Sequence, residues 1–217
     1  DSGFSAPTTA HLAANSTYVQ LSKLIPNTQY YIRVSTSKGG LNSVWNSKTA
    51  STLPLTDLVM VGDSITYGWG YSPSGKKVVT RAIPGDQSGN AAQRFFGDVI
   101  IERPRLVSIM IGTNDIANGV ALSVIEDRIS SMANAAKQYG IGVILGTVPP
   151  AGNTSIRPDS TINGLNAWIA SFAASNSYQV ADYHAAMWPY DANDFQDGLH
   201  PNAQGKNKMS GVLNAIL

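Results

Sequence analysis

Hydrophobic and polar residues follow two different patterns in this chain, and the change falls near residue 55. Before it, apolar residues alternate with Ser, Thr and Asn in "STYVQLSKL" (16–24), "TQYYIRVSTS" (28–37) and "SVWNSKTAST" (43–52). Such alternation indicates strands with one covered face. The glycines of "SKGGLNS", between the last two stretches, favour a hairpin turn. The pattern therefore predicts a small β-rich segment over residues 1–54.

From Leu55 onward, apolar runs alternate with longer stretches of helical periodicity. Strand-like runs lie near residues 57–62, 105–111 and 141–147, with a further candidate in "YQVADY". Helix-like stretches lie near residues 89–98, 121–139 and 161–175, and "NAQGKNKMSGVLNAIL" ends the chain as a helix. Strands that alternate with helices of this length predict right-handed crossovers and a parallel sheet covered by helices on both faces. Residues 55–217 are therefore predicted to form an α/β domain, with "STLPLTD" as the boundary.

The composition excludes several classes of protein. Of the 217 residues, 43% are hydrophobic and 13% are charged, which is typical of a folded chain. Lys and Arg (15) nearly balance Asp and Glu (14), and no basic tract is interleaved with aromatic residues, so no nucleic-acid partner is expected. No apolar run approaches the roughly 18 residues of a membrane span. The absence of cysteine excludes disulfides, thiolate catalysis and Cys-type zinc sites.

Two further features bear on where the protein acts. The sequence begins with Asp and not with Met, from which we expect that a leader or upstream segment has been removed. Ser, Thr, Asn and Gly are abundant while charges are few, which favours a secreted, extracellular protein of bacterial type. The oligomeric state cannot be predicted from these features.

Three polar clusters stand where strands are predicted to end or the last helix to begin: "GDSIT", "GTND" and "DGLHPN". Residues at the carboxyl ends of parallel strands face the substrates of α/β proteins. The same residue types also make ordinary turns and helix caps. Ser64, at the exit of the buried run "DLVMVG", is therefore either a strand-exit residue or a nucleophile.

The clusters together contain the groups that acyl transfer needs. A serine hydroxyl becomes nucleophilic when a base takes its proton and a third group orients that base. His200 is the candidate base, and Asp197, three residues earlier, is the candidate orienting group. Candidate donors to the oxyanion are the Ser64 N–H, the Asn114 side chain and the N–H of Gly85 in "VVTRAIPGDQSG".

Other candidate site residues have simpler interpretations. "DANDFQDG" is similar to a calcium loop, but Phe195 stands where the third ligand belongs. Asp182 and His184 have no third ligand nearby, and His184 is expected to cap or pack a helix start. No metal site is therefore expected. The aromatic residues Trp188 and Tyr190 either line the substrate cleft or cover the end of the sheet.

The four blocks "GDSIT", "RAIPGDQS", "GTND" and "DGLHPN", in this order, resemble the SGNH hydrolase superfamily, also called GDSL lipases and esterases. Its marker residues match Ser64, Gly85, Asn114 and His200. The resemblance covers about residues 56–217 and implies a flavodoxin-like three-layer α/β/α sandwich with a parallel sheet of about five strands.

The resemblance also implies roles for single residues. Ser64 is the expected nucleophile, His200 the general base and Asp197 its partner, while Ser64, Gly85 and Asn114 form the oxyanion hole. No cofactor or metal is expected. This sequence departs from the usual pattern at Ile65 and, with Pro84, before the marker glycine; because Gly85 keeps its N–H, the oxyanion hole is expected to persist.

The expected function is that of a serine esterase acting on short acyl groups, above all acetyl, and on small esters or acetylated carbohydrates. The short α/β region has no insertion that would act as a lid, which favours an open cleft. Four aromatic residues are candidates to line it and stack on a sugar: Trp69, Tyr71, Trp188 and Tyr190. The alternatives are a thioesterase or lysophospholipase of the same superfamily, or a non-catalytic carbohydrate-binding module.

The first segment carries a second, partial resemblance. Leu24, Pro26, Thr28 and Tyr30 match the pattern L-x-P-x-T-x-Y at a corner of fibronectin type III domains. Residues 16–54 would supply only the final half of such a domain, which cannot close a two-sheet sandwich alone. We therefore expect either a remnant of a longer protein or strands that dock on the hydrolase or on another copy.

Overall fold

The computed structural model describes residues 9–21, 24, 28–52 and 55–217, and the chain divides into two compact units, residues 1–55 and 56–217. In the first unit, β1 (Gln29–Val34) pairs antiparallel with β4 (Asn46–Ser51). Between them, β2 (Ser37–Lys38) and β3 (Leu41–Asn42) form a short hairpin. A small β segment therefore precedes the larger unit, as the alternating pattern predicted.

The hairpin between β2 and β3 turns on two glycines. Gly39 and Gly40 have φ values of 60° and 83°, which belong to the left-handed region. Residues with a Cβ rarely adopt two such conformations in succession, and two-residue hairpin turns of this hand require both. The turn predicted at "SKGGLNS" is therefore explained by this pair.

The prediction of a strand at residues 16–24 is wrong for the part of this stretch that the structure describes. Residues 16–21 and 24 have no regular secondary structure, while residues 22 and 23 lie outside the described residues. Alternation alone does not make a strand, because a strand needs a neighbouring edge to satisfy its backbone groups. Among the described residues of this unit, β1 and β4 form a two-stranded sheet with no third strand. Pro26, of the fibronectin-like corner, also lies outside the described residues.

The second unit is built on a five-stranded parallel sheet in the order β6-β5-β7-β8-β9. Its strands are β5 (Leu58–Gly62), β6 (Val78–Ala82), β7 (Leu106–Met110), β8 (Gly142–Gly146) and β9 (Gln179–Ala181). Strands that are covered on both faces read as continuous apolar runs. This is why β5, β7 and β8 were recognisable from the sequence.

Helices connect the strands and cover both faces of the sheet. They are α1 (Ser64–Trp69), α2 (Ser88–Phe95), α3 (Thr113–Ala117), α4 (Leu122–Gln138), α5 (Asp159–Asn176), α6 (Tyr183–Met187) and α7 (Ala203–Asn214). A π-helical turn (Phe96–Ile100) continues α2, and a short 3₁₀ turn (Ala192–Asp194) precedes the loop to α7. The fold is the predicted three-layer α/β/α sandwich. The hydrophobic pattern did not predict α3, which is five residues long.

Two hydrophobic cores lie on opposite faces of the sheet. Val59 and Val61 point into one core, which contains apolar residues of α2, α4 and α5. Leu58 and Met60 point into the other, which contains residues of α1, α6 and α7. Successive side chains of a strand alternate between the faces, so β5 contributes to both cores and is held rigidly at the centre of the unit. Among the helices that the structure describes, none is long and apolar enough to cross a membrane.

Candidate active site

The carboxyl end of β5 lies between the ends of its two neighbours. Gly62 is in register with Ala82 of β6 and with Met110 of β7. The segments that follow these three strands therefore emerge side by side at one edge of the sheet. They carry Ser64, Gly85 and Asn114, which come from blocks that are far apart in the sequence.

Ser64 is the first residue of α1 and leaves the strand through a sharp turn. Asp63 caps the helix, because its carboxylate accepts a hydrogen bond from Ile65 N at 2.9 Å. A Cβ on Gly62 would lie 2.2 Å from Thr66 Oγ1 and 2.7 Å from Met110 O. Only glycine permits this close approach of strand, helix and neighbouring strand.

The Ser64 hydroxyl is hydrogen-bonded to a histidine from the far end of the chain. Ser64 Oγ lies 2.8 Å from His200 Nε2, and His200 Nδ1 lies 2.6 Å from Asp197 Oδ2. Asp197 Oδ1 also accepts the backbone N–H groups of Leu199 (3.1 Å) and His200 (2.8 Å). The carboxylate therefore fixes both the imidazole ring and the loop that carries it.

The electrostatics of Asp197 suit this arrangement. The His200 backbone N–H, the His200 ring and the Leu199 N–H hold the pKa of Asp197 at about 2, against an opposing effect of desolvation. An ionised Asp197 accepts a hydrogen bond from His200 Nδ1–H, which leaves the lone pair of Nε2 directed at the Ser64 hydroxyl. The serine proton can then move to Nε2, while Asp197 holds the ring in place.

Gly85 lies in the β6–α2 loop, residues 83–87. It has φ +85°, and no atom lies within 4 Å of where a Cβ would stand, so its conformation and not crowding calls for glycine. The turn is closed by Asp86 N, which donates to Ile83 O at 3.1 Å. Within the described residues, the N–H groups of Ser64 and Gly85 have no intramolecular acceptor.

Asn114 reaches across the end of β5 to the same loop. Its Nδ2 donates to Asp86 O at 2.9 Å, so the amide is tied to the residue that follows Gly85. One N–H of the amide is used in this bond, and the other remains to donate to a substrate oxygen. The arrangement brings three potential oxyanion donors to one edge of the sheet: Ser64 N–H, Gly85 N–H and the Asn114 amide.

Two carboxylates that the sequence reasoning left without a role support this edge. Asp86 Oδ2 accepts from Arg94 Nε at 3.0 Å and Nη2 at 2.9 Å. Asp115, which is fully buried, accepts from Ser88 Oγ at 2.6 Å and from Ser88 N at 2.8 Å. Both aspartates stand directly beside a marker residue, which is the signal that could have drawn attention to them.

A buried arginine lies beneath the same residues. Arg157 Nε donates to Thr113 O (3.2 Å) and Thr113 Oγ1 (3.1 Å), immediately before Asn114. Desolvation lowers the pKa of Arg157, and the charge of Asp63 opposes this effect. Burial raises the pKa of Asp63 to about 6, against the opposing hydrogen bond from Ile65 N. Arg157 was not recognised from the sequence, because no motif surrounds it.

Trp69 and Tyr71 are largely buried, and they border a surface cavity that residues of α7 also line. Each is only 7% exposed, and their rings pack against each other at 5.0 Å. Trp69 Nε1 donates to Ser210 Oγ at 2.9 Å, and Tyr71 OH donates to Asn214 Oδ1 at 2.6 Å. Their polar groups therefore tie α1 and the segment that follows it to α7. This burial gives the two residues a packing role, and their part in lining the substrate cleft stays a prediction.

Trp188 and Tyr190 lie differently. Trp188 is 45% exposed and stacks on the His184 ring, with centroids 5.2 Å apart and planes 17° from parallel. Tyr190 stacks on Phe195 at 5.0 Å. A Cβ on Gly198 would lie 3.5 Å from the Tyr190 hydroxyl, so Tyr190 adjoins the loop of Asp197 and His200.

His184 is the second residue of α6, and its backbone N–H donates to Thr147 Oγ1 at 2.9 Å. Asp182 caps this helix by accepting from Ala185 N at 3.0 Å. His184 thus lies at a helix start, where the sequence had suggested it would pack. Among the described residues, no three His, Cys, Asp or Glu side chains are grouped so as to hold a metal ion.

The protein is an α/β protein whose parallel sheet carries a Ser–His–Asp hydrogen-bond chain of the kind that serine hydrolases use. The chain belongs to the GDSL-like lipase/acylhydrolase family, whose profile matches residues 60–208. The fold and the family that the four blocks implied are thereby confirmed. The fibronectin type III interpretation of residues 16–54 stays a prediction.

Named relatives agree with this family. The chain is 30% identical over 132 residues to a multidomain esterase of Ruminococcus flavefaciens, covering 57% of this chain and 16% of that protein. It is 31% identical over 104 residues to esterase TesA of Pseudomonas aeruginosa, covering 41% and 52%. The matches thus span about a sixth and about half of these two curated relatives.

A solved structure gives the same result for the fold. A GDSL-like lipase of Bacteroides thetaiotaomicron superposes with a TM-score of 0.69 at 30% identity, covering 74% of this chain and 87% of the other. Together with the family profile, these relatives make the α/β unit an ester hydrolase domain.

Proposed function

We propose that this protein is a serine esterase that hydrolyses short-chain acyl esters, above all acetyl esters, through an acyl-enzyme on Ser64. The observation that carries the proposal is the hydrogen-bond chain from Ser64 Oγ through His200 to Asp197, with distances of 2.8 and 2.6 Å. These distances lie within the reach that proton transfer requires.

Acylation follows from this geometry. Ser64 Oγ attacks the ester carbonyl carbon while its proton passes to His200 Nε2. The negative charge that develops on the carbonyl oxygen is met by Ser64 N–H, Gly85 N–H and the Asn114 amide. When the tetrahedral intermediate collapses, the bond to the alcohol oxygen breaks, and the alcohol leaves with the proton from Nε2.

Deacylation repeats these steps with water. His200 Nε2 takes a proton from the water, whose oxygen attacks the acyl carbon. Collapse of the second intermediate breaks the bond to Ser64 Oγ, which recovers its proton as the carboxylic acid leaves. Throughout, the ionised Asp197 stabilises the imidazolium and keeps the ring oriented.

The catalytic assignment is tested with p-nitrophenyl acetate. Ser64→Ala is expected to lower kcat by at least about three orders of magnitude, because the nucleophile is lost while the fold remains. Ser64→Thr, which keeps a hydroxyl but adds a methyl group, serves as a second variant. Turnover by Ser64→Ala near that of the parent protein would reject the acyl-enzyme mechanism.

For the alcohol part of the substrate, we propose an acetylated carbohydrate. Trp188 is exposed, held against His184, and lies two residues from Tyr190, which adjoins the catalytic loop. A rigid aromatic face of this kind suits the apolar C–H face of a sugar ring. The small acyl group and the open edge of the sheet fit an acetyl ester carried on a larger, solvated alcohol.

A substrate panel tests this second part. Rates on p-nitrophenyl esters from acetyl to decanoyl are expected to be highest for acetyl, and a maximum at eight carbons or longer would contradict the proposal. Trp188→Ala is expected to lower kcat/KM on acetylated xylan several-fold while leaving p-nitrophenyl acetate unaffected. Trp45→Ala is a matched control, because Trp45 is similarly exposed but belongs to the first unit. Equal loss on both substrates would assign Trp188 a structural role.

A further inference from the structure

We propose that Arg94 is a positioning residue of the esterase reaction: it holds the β6–α2 loop in the conformation that directs the Gly85 N–H and the Asn114 amide at the substrate oxygen. This inference rests on the proposed function, because it concerns the donors of the same oxyanion hole. Arg94 itself does not touch the reacting atoms.

Arg94 contacts two neighbouring strands, β5 and β6, and the loop that follows β6. Nη1 donates to Arg81 O of β6 at 2.7 Å, and Nη2 lies 3.5 Å from Gly62 O at the end of β5. Nε and Nη2 both reach Asp86 Oδ2, at 3.0 and 2.9 Å. One planar guanidinium thus joins the end of the nucleophile strand to the loop that carries Gly85.

Asp86 links Arg94 to two of the predicted oxyanion donors, the Gly85 N–H and the Asn114 amide. Its side chain is held by Arg94, its N–H donates to Ile83 O, and its carbonyl oxygen accepts the Asn114 amide at 2.9 Å. Movement of Asp86 would therefore displace the Gly85 peptide and release the Asn114 amide together. Donors to an oxyanion must be held in place before the reaction, because their value depends on fixed geometry.

The ion pair is mostly shielded from water. The side chain of Arg94 is 20% exposed and that of Asp86 is 11% exposed. Arg94 also pairs through Nη1 with Asp98, one helical turn later. A lysine at this position has a single ammonium group and cannot meet Arg81 O, Gly62 O and Asp86 in one plane.

A purely structural role for Arg94 makes a different prediction. If it only tied α2 to the sheet, its loss would lower the unfolding free energy without a selective effect on the transition state. If Arg94 has a positioning role, its loss lowers kcat and leaves KM nearly unchanged. Its loss also weakens the binding of a boronic acid, which forms a tetrahedral adduct on Ser64. The boronic acid therefore separates the two roles.

The experiment compares Arg94→Lys, Arg94→Ala and Asp86→Asn with the parent protein at a temperature where each remains folded by circular dichroism. We expect kcat on p-nitrophenyl acetate to fall about 10- to 100-fold and KM to change less than about threefold. The affinity for phenylboronic acid is expected to fall by about the same factor as kcat/KM. Added guanidinium ion is expected to restore part of the activity of Arg94→Ala. Arg105→Gln, at an exposed ion pair with Asp57, is the matched control and should leave these values unchanged.

Unchanged kcat, or a fall in kcat with undiminished boronic acid affinity, would overturn the inference. Should Arg94→Ala not fold, the same readouts from Arg94→Lys and Asp86→Asn decide the matter. If the proposed function itself is wrong, the result is different from both of these. The parent protein then shows no esterase activity that depends on Ser64, so Ser64→Ala and the parent protein have the same rate.

Discussion

Ser88 and Asp115 are joined by two hydrogen bonds at the centre of the α/β unit, where neither residue is exposed to solvent. Ser88 begins α2 and Asp115 lies in α3, one residue after Asn114. Arg128 of α4 also lies 3.4 Å from Asp115 Oδ1. This carboxylate therefore fastens the helix that bears Asn114, a predicted oxyanion donor, to two longer helices.

Replacement of this carboxylate by an amide should be costly for the fold. Both the N–H and the hydroxyl of Ser88 donate to the Asp115 carboxylate. In Asp115→Asn, the N–H₂ group replaces one carboxylate oxygen, so one of these buried donors loses its acceptor. We expect the unfolding free energy to fall by about 1–3 kcal/mol. Urea unfolding measures this, and Ser88→Ala, which removes only the hydroxyl, should cost less. Equal stability of Asp115→Asn and the parent protein would contradict this interpretation.

Gly85→Ala tests the β6–α2 loop itself. There is open space for a methyl group, but the left-handed conformation costs an L-residue about 1–2 kcal/mol. The loop either remains strained or relaxes and turns its N–H away, so kcat/KM on p-nitrophenyl acetate should fall about 10- to 100-fold. Gly140→Ala is the matched control, because Gly140 has φ +74° and equally open space between α4 and β8. It should cost similar stability and leave activity intact.

Asp197 gives a prediction for the pH dependence of stability. Its pKa is about 2 in the folded protein, below the ordinary value of 3.8. Its stabilising contribution is therefore fully present above about pH 4 and is lost as the pH falls through 2. The difference in unfolding free energy between the parent protein and Asp197→Asn should shrink as the pH falls from 4 towards 2. A difference that stayed the same over this range would contradict the assignment.

The same substitution should affect catalysis far more than stability. Asp197→Asn would present an N–H₂ group or a weaker acceptor to His200 Nδ1, which favours the wrong tautomer. We expect kcat on p-nitrophenyl acetate to fall by about 10³–10⁴. Asp191→Asn is a suitable control, since Asp191 only caps the nearby 3₁₀ turn.

Trp69→Phe distinguishes packing from substrate binding. The variant loses the hydrogen bond to Ser210 and part of the buried ring, so the unfolding free energy should fall by about 1–3 kcal/mol. KM on acetylated xylan should stay within about twofold of the parent value. A large rise in KM at unchanged stability would instead indicate that Trp69 lines the substrate cleft.

The hydrophobic pattern predicted the interior strands well because β5, β7 and β8 are covered on both faces and read as uninterrupted apolar runs. The Ser64, Asp197 and His200 side chains, which lie together in the structure, were predicted because each belongs to a short motif at the end of a strand or before a helix.

Other features depend on contacts that no local pattern contains. Arg94 meets Asp86 eight positions away and Gly62 from a different strand, so only the folded chain brings these partners together. The burial of Trp69 was missed because α1, at six residues, is too short for periodicity to reveal its inner face. The strand predicted at residues 16–24 failed because alternation does not say whether a partner edge exists.

The Ser64 hydroxyl and the His200 imidazole, which meet at 2.8 Å, are 136 positions apart, and four of the five strands of the sheet, β6 to β9, lie between them in the chain. During synthesis, the nucleophile emerges from the ribosome long before its base. Under the proposed mechanism, a nascent chain has no esterase activity until the loop of His200 has docked beside Ser64. Ester cleavage would then report that the folded sheet has brought these two residues together.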